Sequence, residues 1–229
     1  MKKNKVNKTS KIVALFLLCL IIFSSTFIIL SIKNQKNSPQ IISPQYNHVI
    51  NIENQAELSG FVDYIFVGEI EENLGTISKS ELKFETVTGY ETIKIPETKY
   101  SVRVLENIKG ELRTDSEIEI LKNGGLTEDE KYLFLEDGDF ILKTGDICIF
   151  FATVKEDGTL YIQGKEFNLK LNEVISNQTY TKNNIPKAEE ILKKIKESSI
   201  YQKALKSFEN EITFERERFN ILEKYTQNS

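Results

Sequence analysis

The feature that most constrains this chain is an apolar segment near its start, residues 12–32, which reads IVALFLLCLIIFSSTFIILSI and contains no charge. Its 21 residues match the roughly 20 that a helix needs to cross the hydrocarbon core of a bilayer. Residues 1–11 contain five lysines and no acidic residue, and such an excess of positive charge keeps a terminus in the cytoplasm. The sequence therefore predicts a single-pass protein of the cell membrane, with a cytoplasmic tail (1–11), a transmembrane anchor (12–32) and an extracytoplasmic remainder.

Two alternatives to a permanent anchor involve the same segment. A cleaved signal peptide needs a shorter apolar region followed by small residues, and residues 24–26, Ser-Ser-Thr, are the candidates for such a cut. Cleavage there would leave an apolar start at Phe27. A lipid on Cys19 would need small residues before the cysteine and polar ones after it, whereas leucines flank Cys19 on both sides. We expect Cys19 to be an apolar residue of the spanning helix, with cleavage as the open alternative.

The charge of the remaining chain limits its partners. Residues 1–36 hold seven of the 30 Lys and Arg and none of the 34 Asp and Glu. Residues 37–229 therefore carry 23 basic and 34 acidic side chains, a net charge of −11. A domain this acidic is repelled by nucleic acid and by anionic lipid headgroups. We expect no nucleic acid as a partner, but another envelope protein or a small ligand.

The two cysteines, Cys19 and Cys148, cannot pair if Cys19 lies in the bilayer. An extracellular domain without a disulfide, in a chain rich in Lys, Asn and Ile, favours a bacterial surface protein. Cys148 lies in the apolar run 147–151. We expect a buried strand residue there and not a reactive thiol, because apolar burial raises the pKa of a thiol.

The composition of the predicted extracytoplasmic part of the chain changes at about residue 57. Residues 33–56 carry two prolines and many Asn and Gln, which predicts a linker. Residues 57–172 contain short β-branched and aromatic runs separated by Gly, Asn and Asp turn signals, which indicates a mainly β domain, a small antiparallel barrel or sandwich. The predicted strands are 62–70, 100–104, 117–120, 132–135, 140–142, 147–154, 160–162 and 167–171, with a hairpin in 73–97 that turns at Thr88-Gly89.

The end of the chain has a helical period. Residues 173–185 form a connector, and Pro186 suits the first turn of a helix. Residues 186–226 are predicted as an amphipathic helix or helix pair with a bend at Ser198-Ser199, packing on the barrel or pairing with itself. A membrane-lying helix is less favoured because its polar face is mixed in sign. The apolar stripes are Ala188, Ile191, Leu192 and Ile195, and then Tyr201, Leu205, Phe208, Ile212, Phe219 and Leu222.

Four strand-rich segments follow one another between about residues 58 and 171: FVDYIFVGEI, TKYSVRVLENIKGEL, EIEILKNGG and LKTGDICIFFATVKEDGTLYI. This series resembles the netrin-like or tissue-inhibitor-of-metalloproteinase-like domains, a pattern that also occurs in bacterial surface proteins. The resemblance implies a five-stranded OB-type barrel with helices packed alongside. Members that inhibit metalloproteases use a disulfide-fixed N-terminal cysteine. No cysteine other than Cys19 precedes the first strand here, so only the fold is implied.

Side chains suited to catalysis or metal binding are few. The single histidine, His48, lies in the predicted linker, so a Ser-His-Asp or Cys-His arrangement would depend on a residue outside the predicted core. Zinc sites need several Cys and His at close spacing, and two distant cysteines with one histidine do not provide them. Residues 123–125, Asn-Gly-Gly, are a turn and not a phosphate loop. We therefore assign no catalytic or cofactor-binding residue and expect no cofactor.

Carboxylates are the remaining candidates, since a pair of them can hydrolyse a glycosidic bond. We expect them to be solvated edge charges and turn residues. The segment LEDGD, residues 135–139, has oxygen ligands for calcium but lacks the spacing of an EF-hand, so a metal site is left open. Asn177-Gln178-Thr179 fits a glycosylation acceptor but means little in a bacterial chain. The two candidate groups are Glu69, Glu71 and Glu72, and Glu136, Asp137 and Asp139.

These observations favour a membrane-anchored, extracytoplasmic binding protein of a bacterial envelope, with no catalysis expected. Two alternatives stay open. One is a hydrolase that uses acidic residues at the cell surface. The other is a structural oligomer that assembles through its C-terminal helix.

Overall fold

The computed structural model describes residues 38–45, 49–87, 89–171 and 185–226. The chain separates into residues 1–38 and residues 39–229, and the described residues other than Ser38 belong to the second unit. Among the described residues, no helix is long and apolar enough to cross a membrane. Several predictions lie outside the described residues: the tail, the anchor with Cys19 and its alternative cut, His48, and the acceptor at Asn177.

The described residues form nine strands and three α-helices. The helices are α1 (Gln55–Phe61), α2 (Ile185–Glu197) and α3 (Ser199–Glu209), and short 3-10 helices occupy Lys165–Phe167 and Glu223–Tyr225. The strands are β1 (Gln40–Ile42), β2 (Tyr64–Thr86), β3 (Gly89–Lys109), β4 (Glu117–Asn123), β5 (Gly125–Leu126), β6 (Tyr132–Phe134), β7 (Ile147–Val154), β8 (Leu160–Ile162) and β9 (Asn168–Lys170).

Five strands close into a barrel. β2, β3, β4, β8 and β7 are hydrogen-bonded in that order, and β7 also pairs with β2. Neighbours run antiparallel except β4 and β8, which run parallel. A ring with an odd number of strands cannot alternate direction all the way round, so one parallel pair is unavoidable. The predicted barrel is thus confirmed over the sandwich, whereas a wholly antiparallel pairing is wrong at β4 and β8.

A second, three-stranded sheet uses part of the predicted linker. β1 pairs in parallel with β6, and β5 pairs with β6 on its other side. Helix α1 also begins before residue 57, with the Asn54 side chain accepting a hydrogen bond from the N–H of Ala56 at 3.1 Å. The linker prediction is therefore wrong for residues 40–42 and 55–56. Its composition could not show that β1 pairs with a segment about 90 residues further along the chain.

The core fills the barrel and continues under the helices. All eight residues of β7 are buried, and Phe150 packs against Phe66 of β2 with ring centres 5.4 Å apart. Cys148 is fully buried in β7, as predicted, and burial raises the pKa of its thiol well above the ordinary value. A thiol in this state is inert. Ile191 and Ile195 of α2 belong to the same core, which confirms the first helical stripe.

β2 and β3 are much longer than the barrel needs. β7 pairs with residues 64–69 of β2, and β4 pairs with residues 98–103 of β3. Beyond those pairs the two strands continue as a two-stranded ribbon, which turns between Thr86 and Gly89 as the alternation in 73–97 predicts. Register shifts occur along the ribbon, and such bulges increase its twist.

The prediction of a helix along the second apolar stripe is confirmed only for its first half. α3 begins after Ser198, whose hydroxyl accepts a hydrogen bond from the N–H of Tyr201 at 3.2 Å, so the predicted bend is confirmed. The helix ends at Glu209, however, and residues 210–222 are not helical. We call residues 210–226 the C-terminal strap.

The strap lies against α1 and the start of β2. Ile212 donates its N–H to the carbonyl of Ala56 at 2.9 Å, and a Cβ on Gly60 would stand 1.8 Å from the Ile212 carbonyl oxygen. Only glycine leaves room for so close a backbone contact. The apolar residues of the strap therefore follow the surface of the barrel and do not line one face of a helix.

Candidate functional site

The first group of candidate carboxylates lies at the root of the ribbon. Arg103 of β3 faces Glu69 of β2, and its Nη2 lies 2.6 Å from Glu69 Oε2 and 2.7 Å from Glu71 Oε1. Burial raises the pKa of Glu69, and the hydrogen bond from Arg103 offsets only part of that rise. Glu72 is exposed, as predicted. The prediction of a solvated charge is wrong for Glu69, which joins two strands through a cross-strand ion pair.

Asp139, from the second group, also lies inside the protein. Its carboxylate forms an ion pair with Lys122 of β4 and accepts a hydrogen bond from Asn168 Nδ2 at 3.3 Å. The backbone N–H of Phe140 donates to the same carboxylate at 2.8 Å. Asp139 therefore fastens the segment after β6 to the barrel, and the prediction of a solvated turn residue is wrong for it.

The other carboxylates of this group, Glu136 and Asp137, differ in exposure. Glu136 accepts a hydrogen bond from the backbone N–H of Lys165 at 3.2 Å, whereas Asp137 is exposed, as predicted. Residues 140–142, for which the sequence predicts a strand, form none. The ion pair and hydrogen bonds of Asp139 fix this segment to the barrel, a task that strand pairing would otherwise perform.

These contacts bear on the hydrolase and calcium hypotheses. Hydrolysis of a glycosidic bond by paired carboxylates needs two of them facing one substrate. Glu69 and Asp139 each neutralise a buried cation instead. Among the described residues, no three His, Cys, Asp or Glu side chains are grouped so that they could hold a metal ion. The candidate carboxylates at these two positions stabilise the fold.

The sequence does not predict the concave site that the structure shows on the ribbon itself. A pocket of about 370 Å³ lies between β3 and residues 127–132, and we call it the hairpin cleft. Ile93, which is buried, and Tyr132 give it an apolar part. Ser78 and Thr92 add hydroxyl groups. Its charged residues are of both signs: Lys94, Lys131, Glu128 and Asp129.

The edge of β3 beside this cleft has no strand partner. Residues 98–103 pair with β4, and Glu97 forms a bridge with Gly124. In the described part of the chain, residues 92–95 pair with β2 only. Because β5 follows Gly124 directly, residues 127–132 lie on this free side of β3. Unpaired N–H and C=O groups along a strand edge are a template for another strand.

The opposite wall of the cleft is held in one shape. Thr127 donates its hydroxyl to Asp129 at 2.7 Å and its N–H to the carbonyl of Tyr132 at 2.9 Å. The hydrogen bond from Thr127 is the main reason why the pKa of Asp129 is lowered. The N–H of Gln40 in β1 donates to the carbonyl of Lys131 at 2.8 Å, so β1 braces this wall. A wall ordered before binding loses little entropy when a ligand binds.

The signal for this cleft was present in the sequence but was not specific. Ile93 alternates with charged and polar neighbours, which predicts only an ordinary hairpin residue. What the alternation could not show is that β4 ends before it reaches Ile93, so that one edge of β3 stays open. In comparisons with known proteins, the chain matches no family model and no curated protein at a significant level. Fold and geometry therefore define its class, a five-stranded β-barrel with a strand-edge cleft.

Proposed function

We propose that this chain is a membrane-anchored, extracytoplasmic binding protein of a bacterial envelope, which holds an extended segment of another envelope protein in the hairpin cleft. The unpaired edge of β3 at residues 92–95 carries the proposal. An extended peptide that adds to an exposed strand edge gains main-chain hydrogen bonds, and neighbouring pockets select its side chains.

The side chains around the cleft suit such a segment. An apolar side chain of the peptide would cover Ile93 and Tyr132, while Lys94 and Asp129 face its charged neighbours. A rim with both signs of charge favours partners with a complementary pattern, because electrostatic complementarity gives specificity more than affinity. The negative charge of residues 37–229 directs the proposal to a polypeptide and away from nucleic acid.

The barrel adds support to this reading. A five-stranded barrel is the architecture that the netrin-like resemblance implies, and OB-type barrels bind ligands on one strand face and in the loops around it. The hairpin cleft lies beside β3, a strand of the barrel, and the loop between β5 and β6. We therefore extend the OB-type assignment to this chain as part of the proposal, without the metalloprotease inhibition of some family members.

The location in the proposal depends on the apolar residues 12–32 and on the lysines before them. An anchor of this kind would keep the barrel at the outer face of the membrane, where its partners are envelope proteins. The linker that remains between residue 33 and β1 at Gln40 would set how far the cleft stands from the bilayer.

The two alternative functions have less support. A structural oligomer assembled through the C-terminal helices would need a free apolar stripe, but Ile191 and Ile195 are fully buried in the core of their own chain. A surface hydrolase would need Glu69 or Asp139 to face a substrate, and both are engaged in ion pairs inside the protein.

A peptide selection tests the proposal. The full-length chain is immobilised in mild detergent, short linear peptides are selected from a random library, and their Kd is measured by fluorescence anisotropy. We expect enriched peptides whose Kd rises at least about tenfold, or 1.4 kcal/mol, in Ile93→Asp, which places a charge in the apolar part of the cleft.

A matched control uses the same ribbon. Leu74→Asp introduces the same charge at an exposed apolar residue of β2 that does not line the cleft, and the Kd should not change. Equal losses in the two variants, or a library that yields no binding peptide, would contradict the proposal. Circular dichroism of both variants checks that the barrel is folded.

A further inference from the structure

A second pocket lies away from β3, where the segment around Gly138 meets the 3-10 helix Lys165–Phe167, β9 and the start of α3. Its volume is about 450 Å³, which falls in the range of small-molecule sites. Phe140, Leu169 and Ile200 provide its apolar surface. We call it the lysine pocket, because three lysines line it.

The lysines give this pocket a positive charge on an acidic domain. Lys170 is already used: it pairs with Asp146 at 2.8 Å and lies over the ring of Phe140. Lys165 and Lys203 line the pocket and form no ion pair with any described carboxylate. The pocket contains one acidic residue, Glu166. Two cations therefore remain available to an anion.

One of these two lysines, Lys165, lies beside Gly138. The φ of Gly138 is +79°, and a Cβ at this position would lie 3.5 Å from Lys165 Cδ and 3.8 Å from Lys165 Nζ. The Lys165 side chain thus runs across a position without a side chain. Lys165 is one of the residues that line the pocket.

A buried amide gives an independent indication of a ligand. Asn168 is only 1% exposed, and its Nδ2 donates to the carbonyl of Gly164 at 2.6 Å and to Asp139 at 3.3 Å. Because both of these partners are acceptors, the amide cannot be turned over. Its Oδ1 is then a buried acceptor without a hydrogen-bond partner in the described protein. Buried polar atoms are nearly always satisfied, so a donor outside the protein is expected.

A second amide side chain lies in the same pocket. The Oε1 atom of Gln55, at the start of α1, is buried and also has no hydrogen-bond partner in the part of the chain that the structure describes. Two amide groups, and two lysines that form no ion pair with a described carboxylate, suit a ligand that carries both hydroxyl groups and negative charge. An inorganic anion satisfies the lysines alone, and an uncharged polyol satisfies the amides alone.

We propose that the lysine pocket binds a small phosphorylated polyol. Its phosphate lies between Lys165 and Lys203, since lysine binds phosphate as a point charge. One hydroxyl donates to Asn168 Oδ1, and another forms a hydrogen bond with the Gln55 amide. The carbon chain of the ligand covers Phe140. This site is independent of the hairpin cleft, so either can fail without the other.

Calorimetric titration of the full-length chain in mild detergent tests the site, with glycerol 3-phosphate as the probe. Ethyl phosphate has a similar charge but no hydroxyl, and glycerol has hydroxyls but no charge. We expect glycerol 3-phosphate to bind at least about tenfold more tightly than ethyl phosphate, as two added hydrogen bonds of ordinary strength would give, and glycerol alone to show no measurable heat.

Variants at the two lysines test the anion end of the pocket. Lys165→Ala combined with Lys203→Ala should raise the Kd for glycerol 3-phosphate at least about tenfold. Lys206→Ala, an exposed lysine on the same helix α3 that does not line the pocket, should leave the Kd unchanged. Both substitutions are at partly or fully exposed side chains, so the fold should survive.

The same chemistry has two sources, a free phosphate monoester or the headgroup of a phospholipid. Glycerophosphoglycerol, a soluble phosphodiester without acyl chains, separates them: tighter binding of the monoester indicates a free metabolite, and tighter binding of the diester indicates a headgroup. Either result supports a polyol phosphate site. Equal Kd values for glycerol 3-phosphate and ethyl phosphate, an equal effect of Lys206→Ala, or no binding of any probe would overturn it.

Discussion

Lys122 and Asp139 form an ion pair inside the protein, with only 3% and 2% of their side chains exposed. Lys122 belongs to β4, and Asp139 lies in the irregular segment between β6 and β7, so the pair connects the barrel to a part of the chain without regular structure. A buried charge of this kind is tolerated only when it is paired and hydrogen-bonded. Asn168 supplies the additional hydrogen bond to Asp139.

Removing one member of this pair should strongly destabilise the folded protein. Lys122→Met keeps the volume but leaves the Asp139 carboxylate buried without its cation, and we expect the free energy of unfolding to fall by about 3–5 kcal/mol. Urea denaturation measures this change. The control is Lys194→Met, which removes an exposed pair with Glu190 on α2 and should cost less than about 1 kcal/mol. Similar losses in the two variants would contradict the structural role of the buried pair.

Asp63 should control whether the C-terminal strap stays on the barrel. Its carboxylate is 2.6 Å from both Arg216 Nη2 and Arg218 Nη1, and it accepts the N–H of Val154 at 2.9 Å. Asp63→Asn removes the charge and keeps the shape of the side chain. We expect trypsin to cut after the two arginines at least about tenfold faster, since each charge-assisted hydrogen bond contributes on the order of 1.5–3 kcal/mol.

The matched control for the strap is Glu217→Gln, an exposed carboxylate between the two arginines. It should leave the rate of cleavage unchanged. Digestion is followed by mass spectrometry, which also shows whether the barrel stays intact after the strap is cut. An unchanged rate in Asp63→Asn, or cuts spread over the whole barrel, would show that Asp63 does not hold the strap.

Tyr100 should make the protein less stable at high pH. Burial, with the charges of Asp139 and Asp146 adding to it, raises the pKa of Tyr100 from its ordinary value of 10 to about 12. The folded state thus holds the proton more tightly than the unfolded chain does. This contribution to stability is complete below about pH 10 and is lost as the pH rises towards 12, a difference on the order of 2–3 kcal/mol.

The pH dependence is measured by urea denaturation at about pH 9 and about pH 12. Tyr100→Phe removes the titrating hydroxyl and is the control, because the other tyrosines are kept. We expect the wild-type chain to lose on the order of 2–3 kcal/mol more than the variant between the two pH values. Parallel losses would mean that the hydroxyl is not desolvated.

The anchor proposal predicts that the full-length chain stays in the membrane fraction through alkaline carbonate extraction. Intact mass spectrometry should show an uncut N-terminus and an unmodified Cys19. Leu20→Arg with Ile22→Arg places two charges in the segment, each costing about 2.5–3.5 kcal/mol at the centre of a spanning helix, and should move the protein to the soluble fraction. A chain that begins near Phe27, or a lipid on Cys19, would contradict the anchor.

The parts of the fold that depend on local pattern could be predicted from the sequence. The buried run of β7 and the ribbon that turns before Gly89 each follow from alternation and turn residues within a few positions. Helix α2 follows from the spacing of Ile191 and Ile195. In each case the residues that decide the structure are neighbours in the chain.

The parts that depend on distant partners could not be predicted. The sequence predicts a helix for the strap because Phe219 and Leu222 continue the apolar spacing. In the structure its arginines pair with Asp63, about 155 residues earlier. The sequence predicts a solvated charge at Glu69 because its partner Arg103 is on another strand. The hairpin cleft exists because β3 continues past the end of β4, which depends on strand lengths in the folded barrel and not on any motif.

Amide hydrogen exchange of the full-length chain, with and without a peptide selected in the hairpin cleft, tests the central claim most directly. Strand addition predicts that the peptide slows exchange at residues 92–95 of β3, because their outward N–H groups become hydrogen-bonded, and leaves the free edge of β2 in the same ribbon unchanged. Methylation of every second backbone nitrogen removes the donors along one edge of the bound peptide. The protection should be lost when those nitrogens face β3 and kept when they face away from it. Protection on the β2 edge, or none at residues 92–95, would contradict the account.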